Sequence, residues 1–247
     1  MREFLHNMLT KEQLFLIQNK FQTQKTNVLR EYVQHLFLSS LYRTNGSENI
    51  LFKGGTALRI AYKSPRFSED LDFSAGTITM SEIEKIMMNV LEDLSNNGLV
   101  CEIEESKGTT GGYLAKLYTT LQGEKIPIDV QISLRQKIDK KYDVFDVINE
   151  YVPTYSVLLL PQEVMMNEKI QAALTRSKPR DFYDIYFLLR NGFLTSGQKN
   201  QLVQVKHILS QKTIKFADEL SHFLPRSMKT MADSFPQSLL SELEKYF

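Results

Sequence analysis

The chain has 247 residues, of which 42% are apolar and 24% charged, with a formal net charge of +1 at pH 7. This composition belongs to a folded globular protein and excludes a disordered chain, a collagen and a coiled-coil rod; the length corresponds to one large domain or two small ones. A single cysteine, Cys101, excludes an intrachain disulfide, and no Cys/His group has zinc spacing, which fits a reducing, cytoplasmic setting.

Residues 10–42 read as helices. Leu29, Val33, Phe37 and Leu41 recur every four residues with Leu36 beside them, giving one apolar face. Asn45-Gly46-Ser47 is a turn signal, and Asn49 to Phe52 is a short apolar entry to Lys53-Gly54-Gly55-Thr56. Ala57 to Tyr62 predicts a helical turn or two, Pro65 breaks it, and Ser68 to Phe73 predicts a strand. Ser81 to Asn96 predicts an amphipathic helix with Ser81 as N-cap and Glu84 completing a capping box. Three strands follow, at Leu99–Glu104, Tyr113–Leu121 and Ile126–Ser133. In the last, Ile126, Ile128, Val130 and Ile132 alternate with Pro127, Asp129, Gln131 and Ser133, the pattern of a half-buried strand.

From Pro161 the pattern is helical: Glu163–Thr175, Arg180–Asn191, Gly197–Gln211, Ile214–Phe223 and Gln237–Tyr246. Helices, then a mixed block, then helices predict an α+β protein, not a doubly wound sheet. Residues 1–160 are expected to hold the N-terminal helices and the mixed core, and residues 161–247 a helical region that completes the active-site cleft. The first part is slightly acidic and the second slightly basic. Apolar runs such as Val157–Leu160 fall far short of the roughly 20 residues a membrane span needs. The first twenty residues mix Arg2, Glu3, Lys11 and Glu12 with apolar side chains and lack a signal-peptide core. No membrane contact and a cytoplasmic location are expected.

Four groups of residues have chemical potential. In Glu69-Asp70-Leu71-Asp72-Phe73, a strand puts Asp70 and Asp72 on one face and Leu71 and Phe73 in the core. Two carboxylates so placed repel unless a cation lies between them, and Mg²⁺ is the hard cation that one or two carboxylates share with substrate phosphates; a solvated strand face has the same pattern. Lys53-Gly54-Gly55-Thr56 lets backbone N–H groups approach a phosphate, or is a plain tight turn, and it is not a P-loop. Asp129 is a third carboxylate if its strand lies beside the Asp70/Asp72 strand, and three acids can hold two metals; otherwise it is a surface aspartate. Lys169, Arg176, Lys178 and Arg180 form a cationic run with no acid between them, followed by Asp181 and Asp184. They read as a wall for phosphates or as a solvated helix face.

Together, Phe52-Lys53-Gly54-Gly55-Thr56-Ala57-Leu58 and Arg66-Phe67-Ser68-Glu69-Asp70-Leu71-Asp72-Phe73 resemble the first motif of the AbiEii/AbiGii-type toxins, a branch of the DNA polymerase β-like nucleotidyltransferases that includes the MenT toxins. Asn167-Glu168-Lys169 and Arg180-Asp181-Phe182-Tyr183-Asp184 resemble the family's later lysine and aspartate motifs, so the resemblance spans about 29–189. It implies a nucleotidyltransferase-type mixed sheet with flanking helices and a C-terminal helical bundle. It implies Mg²⁺-dependent (or Mn²⁺-dependent) transfer of a nucleotide from an NTP to an RNA acceptor, tRNA in studied members, by the toxin of a toxin–antitoxin or phage-defence system with a cognate antitoxin.

By this resemblance Asp70 and Asp72 hold the metal, with Asp129 as the third carboxylate that could also activate the acceptor hydroxyl. Lys169 neutralises phosphate charge, and Asp184 positions Lys169 or the nucleotide. Lys53, Gly54, Gly55, Thr56, Arg66 and Ser68 bind the nucleotide. The superfamily commonly has Gly-Ser where this chain has Gly54-Gly55-Thr56, which shifts the phosphate contact to backbone N–H groups, the Thr56 hydroxyl or Ser68. The alternatives are a non-catalytic nucleotide-binding module on the same fold and a metal-dependent phosphohydrolase. Intact Asp70, Asp72 and Lys169 argue against the first, and the lack of a His-Asp pair against the second.

Overall fold

The structure, a computed structural model, describes residues 9–135, 141–211 and 214–246. The first eight of the twenty residues read as lacking a signal-peptide core lie outside the described residues. The chain forms two compact units. One runs to Lys63 and resumes over Phe67–Leu160; the other takes Ser64–Arg66 and the chain from Pro161 onward.

In the first unit, α1 (Lys11–Phe21) starts at Thr10, whose hydroxyl accepts from the Gln13 N–H while the Gln13 side chain accepts from the Thr10 N–H. Gln22, in the left-handed region at φ 51°, ends it. Helix α2 (Lys25–Leu41) is buried on almost every side, its polar residues included. Partners offset the burial of several of them. Glu31 accepts from Arg59 Nε at 2.6 Å and from the Tyr151 hydroxyl at 2.7 Å. His35 Nδ1 lies 2.8 Å from the Tyr155 hydroxyl.

Around α2 the chain lays down β1 (Ile50–Lys53), α3 (Gly54–Ile60), β2 (Leu71–Ala75), α4 (Met80–Asn96), β3 (Cys101–Thr109), β4 (Gly112–Leu121), β5 (Glu124–Ser133), β6 (Asp143–Val147) and β7 (Tyr155–Leu159). The strands form one mixed sheet in the order β3-β4-β5-β2-β1-β7-β6. Strand β2 pairs antiparallel with β1 and parallel with β5. The alternation read from residues 126–133 holds, with Ile126, Ile128, Val130 and Ile132 all buried. Helix α4 packs Ile83, Ile86, Met87, Val90 and Leu94 inward.

Two differences from the sequence reading have physical causes. The N-cap of α4 is Thr79 with Glu82, not Ser81 with Glu84. The two pairs have the same spacing, and Thr79 is the one whose extended backbone leaves its hydroxyl open to the Glu82 N–H. Strands β6 and β7 were not anticipated. Strand β6 is a sheet edge whose residues are mostly exposed, so no apolar alternation marks it.

The second unit contains α5 (Gln162–Thr175), α6 (Pro179–Arg190), α7 (Ser196–Gln211), α8 (Phe216–Phe223), α9 (Lys229–Asp233) and α10 (Phe235–Leu243). Tyr183, Phe216 and Phe235 meet in its core, with ring centroids 5.1–5.8 Å apart for the pairs that Phe235 makes. Tyr183 is thus a core residue. No described helix is long and apolar enough to cross a membrane.

Burial brings the His35 imidazole down to about 4, with Glu31 opposing the shift and Lys63 and Arg59 adding to it. An unfolded histidine titrates near 6.5, so between these values the unfolded chain takes up a proton that the folded chain refuses. Stability is therefore full above about 6.5 and falls as the pH drops towards 4. Urea titrations at pH 7 and pH 5 should show the wild type losing roughly 2 kcal/mol that His35→Gln does not lose. Equal losses in the two proteins would refute the buried neutral imidazole.

Candidate active site

The acidic pair stands on a short segment held from both sides. The Gln34 side-chain amide, 1% exposed in the middle of α2, donates to the carbonyls of Ser68 at 3.0 Å and Glu69 at 2.9 Å. The Thr56 hydroxyl, from α3, donates to the Asp70 carbonyl at 2.5 Å. Arg30 of α2 pairs with Glu69 at 3.3 Å. Three consecutive peptide units are thereby fixed before β2 begins at Leu71, whose side chain is buried with that of Phe73.

Asp72 is half-buried and lies against the turn that leaves β1. Gly54 has φ +84°, and a Cβ built on it would stand 2.7 Å from the Asp72 Cβ and closer still to a carboxylate oxygen. Both the backbone and the neighbour demand glycine there. Strand register places Lys53 beside Asp72 on one side and Gln131 beside it on the other. Asp129, two residues before Gln131, shares that sheet face, and Lys116 of β4 is its cross-strand partner. Burial pushes the Asp129 carboxyl up, and the charge of Asp70 adds to this, with Lys116 opposing. Asp129 therefore stands in the field of Asp70. Among the described residues, however, no three His, Cys, Asp or Glu side chains are grouped to hold a metal.

The second unit has its own buried charge cluster. Asp184 on α6 accepts from Lys169 Nζ of α5 at 2.8 Å, and from Arg66 Nε at 2.9 Å and Nη2 at 3.1 Å. All three side chains are at most 11% exposed. Burial alone raises the Asp184 carboxyl, but Arg66 and Lys169 outweigh it and hold it below the ordinary carboxylate range. Along the cationic run, Arg176 pairs with Asp181, and Arg180 with Glu219 at 3.5 Å.

A family profile described as "Nucleotidyl transferase AbiEii toxin, Type IV TA system" matches residues 36–240. The chain belongs to this family. It is thus a nucleotidyltransferase of the toxin type, and such enzymes draw on an NTP and a divalent metal. No curated protein matches the sequence. Solved structures share the fold, and two of them illustrate the likeness. MenT4, a nucleotidyltransferase toxin of Mycobacterium tuberculosis H37Rv, is 17% identical, with 94% of this chain and 89% of that one covered and a TM-score of 0.64. JHP933 of Helicobacter pylori is 19% identical, with 90% and 95% covered and a TM-score of 0.57.

Set beside the AbiEii motif, the geometry sorts the expected residues. Asp70, Asp72, Lys53 and Gly54 come together in the first unit, with Gly55 buried behind them and Ser68 held through its carbonyl. Two half-buried carboxylates fit a cation that completes its shell with substrate phosphates. Asp129 lies on the same face, its carboxyl raised first by burial and then by the charge of Asp70. The metal role expected of Asp129 is not carried further, because the three acids do not form a ligand group. Thr56 is corrected from nucleotide contact to positioning residue: it is fully buried and its hydroxyl is given to Asp70. Arg66 is corrected likewise, since its buried guanidinium forks onto Asp184. The sequence reading missed Gln34 and Arg30. The signal available was polar side chains on a helix too apolar to be exposed.

Two substitutions test this geometry. Gly54→Ala should cost more stability than Gly98→Ala, a control with φ +86° and nothing within 4 Å of its added Cβ. The left-handed backbone alone costs about 1–2 kcal/mol in both, and any excess in urea unfolding measures the collision with Asp72. Asp184→Asn should cost roughly 3–5 kcal/mol at pH 7, because it strips the partner from two buried cations. The gap from wild type should close as the pH falls below about 4, where the wild-type carboxylate loses its advantage.

Proposed function

We propose that this chain transfers a nucleotide from an NTP to an RNA acceptor, most simply a tRNA 3′ end, with Mg²⁺ or Mn²⁺ held by Asp70 and Asp72, and that this arrests growth as the toxin of a toxin–antitoxin pair in the cytoplasm. What carries the reading is the fixed acid pair beside Gly54: a segment clamped by Gln34 and Thr56 presents two carboxylates next to a turn where no side chain fits. The divalent metal, when bound, neutralises and aligns the phosphate oxygens. Lys53 and the Gly54-Gly55 backbone face the triphosphate. Asp129, whose carboxyl is a better proton acceptor than a free aspartate because burial and Asp70 raise it, takes the proton of the acceptor hydroxyl. The hydroxyl oxygen bonds to the α-phosphorus and pyrophosphate leaves. Lys169, held by Asp184 within the helical unit, is the cation that the family's lysine motif assigns to phosphate charge. The acceptor is the part of the reading that rests on the family alone.

Incubating the protein with each labelled NTP and purified tRNA, a protein acceptor or no acceptor tests this directly. Label should enter tRNA with release of pyrophosphate. Asp70→Asn should lower the rate by at least about a thousandfold, as loss of a charge-stabilising group does, and leave the urea midpoint unchanged. Label on protein would exclude the RNA acceptor, and phosphate release without labelling would favour hydrolysis. Wild-type transfer by Asp70→Asn would remove the metal assignment.

A further inference from the structure

On the β5 side of the acid pair the same sheet face hollows into a cavity of about 320 Å³. Its floor follows the strand register. Lys53, Asp72, Gln131 and Leu114 stand side by side across β1, β2, β5 and β4, and Ser133 continues the face two residues beyond Gln131. The row thus runs from a cation through the acid to an amide and then to an aliphatic side chain.

Arg135 forms the far rim. Its side chain lies down on Gly111 in the turn between β3 and β4, so closely that a Cβ there would stand 2.8 Å from the guanidinium carbon and 2.9 Å from Cδ. The φ of Gly111 is outside the left-handed region, so the missing side chain serves Arg135 and not the backbone. Arg59, Arg66, Arg176 and Arg180 are each paired with a carboxylate. Arg135 has no such partner among the described residues. A planar guanidinium at the mouth of a cavity floored by an amide and a leucine suits a flat, hydrogen-bonding heterocycle.

The order of groups along this row matches the order of groups along an NTP. Triphosphate charge belongs with Lys53 and the Gly54 turn, the reacting α-phosphate with the acids, and the sugar and base with what lies beyond them. We propose that this cavity is the nucleoside subsite, and that Gln131 and Arg135 set the base preference, Gln131 by hydrogen bonds to the base edge and Arg135 by covering its face. The proposal deepens the nucleotidyltransferase reading and rests on it for the direction of the NTP.

The test measures equilibrium binding by the full chain, with Mg²⁺ present, of labelled ATP, GTP, CTP and UTP and of inorganic tripolyphosphate. Gln131→Ala and Arg135→Ala should each shift the affinity ratio among the four NTPs by about tenfold, the size of a lost base-reading contact, and leave tripolyphosphate binding unchanged. Gly111→Ala, which dislodges the Arg135 side chain, should reproduce the Arg135→Ala pattern. Both Gln131 and Arg135 are exposed, so their variants should keep the wild-type urea midpoint. Equal weakening of all four NTPs and of tripolyphosphate would make these residues phosphate contacts and overturn the subsite. Unchanged ratios would overturn it as well. The catalytic reading is judged separately: wild type that labels tRNA while the variants keep its base preference refutes the subsite alone, and shifted preference in a protein that labels no acceptor refutes the transfer reaction alone.

Discussion

A single buried amide fixes the backbone that leads into the candidate active site. Gln34 sits in a helix that the rest of its unit encloses, and its two N–H bonds hold the carbonyls that precede Asp70. Glu69, Asp70 and Asp72 repel one another, and a loose segment would let them spread. Each hydrogen bond contributes only about 1 kcal/mol net to stability. Their value is positional: the backbone is set before any cation arrives, so binding need not spend free energy on ordering it. Thr56 does the same from α3, which is why a hydroxyl that resembles a phosphate ligand in the sequence turns inward.

The helical unit solves a different problem with charge. Asp184, Lys169 and Arg66 are buried together, and buried ion clusters stabilise little against well-packed apolar groups. What such a cluster provides is a unique arrangement. Lys169 cannot rotate away without leaving a carboxylate half-paired, and the segment Ser64–Arg66 cannot leave the unit without stranding Asp184. The nearby Arg176–Asp181 pair, exposed on the arginine side, carries no comparable constraint.

The parts of the molecule legible in the sequence are those written in local spacing. The Asp70-x-Asp72 pair, the paired glycines and the alternation of residues 126–133 each involve neighbours in the chain; the alternation holds along β5, whereas the strand expected over Ser68–Phe73 begins only at Leu71, so Asp70 precedes it. The family resemblance was legible on the same motifs, although the family profile continues to residue 240, past the last motif recognised near Leu189. What escaped reading depends on distant partners. The Gln34 contacts lie 34 and 35 residues away, and Arg66 meets Asp184 at a separation of 118. A helix buried on all sides shows no polar face to betray which of its polar residues are at work. Strand β6 has one neighbour and water elsewhere, so it never needed the alternation that marks β5.

The parallel pairing of β2 with β5 has a consequence for how this protein is made. Synthesis runs from the N-terminus, so Asp70 and Asp72 emerge well before Gln131, their neighbour across the sheet. Until then β2 has β1 and α3 beside it, with Gln34 of α2 holding the segment before it, and its other edge has no strand partner. A chain that stops short of β5 carries the whole acidic motif without Gln131 and Ser133, which line the cavity beside Asp72. The sheet around the acidic motif is thus complete only after synthesis has passed Ser133.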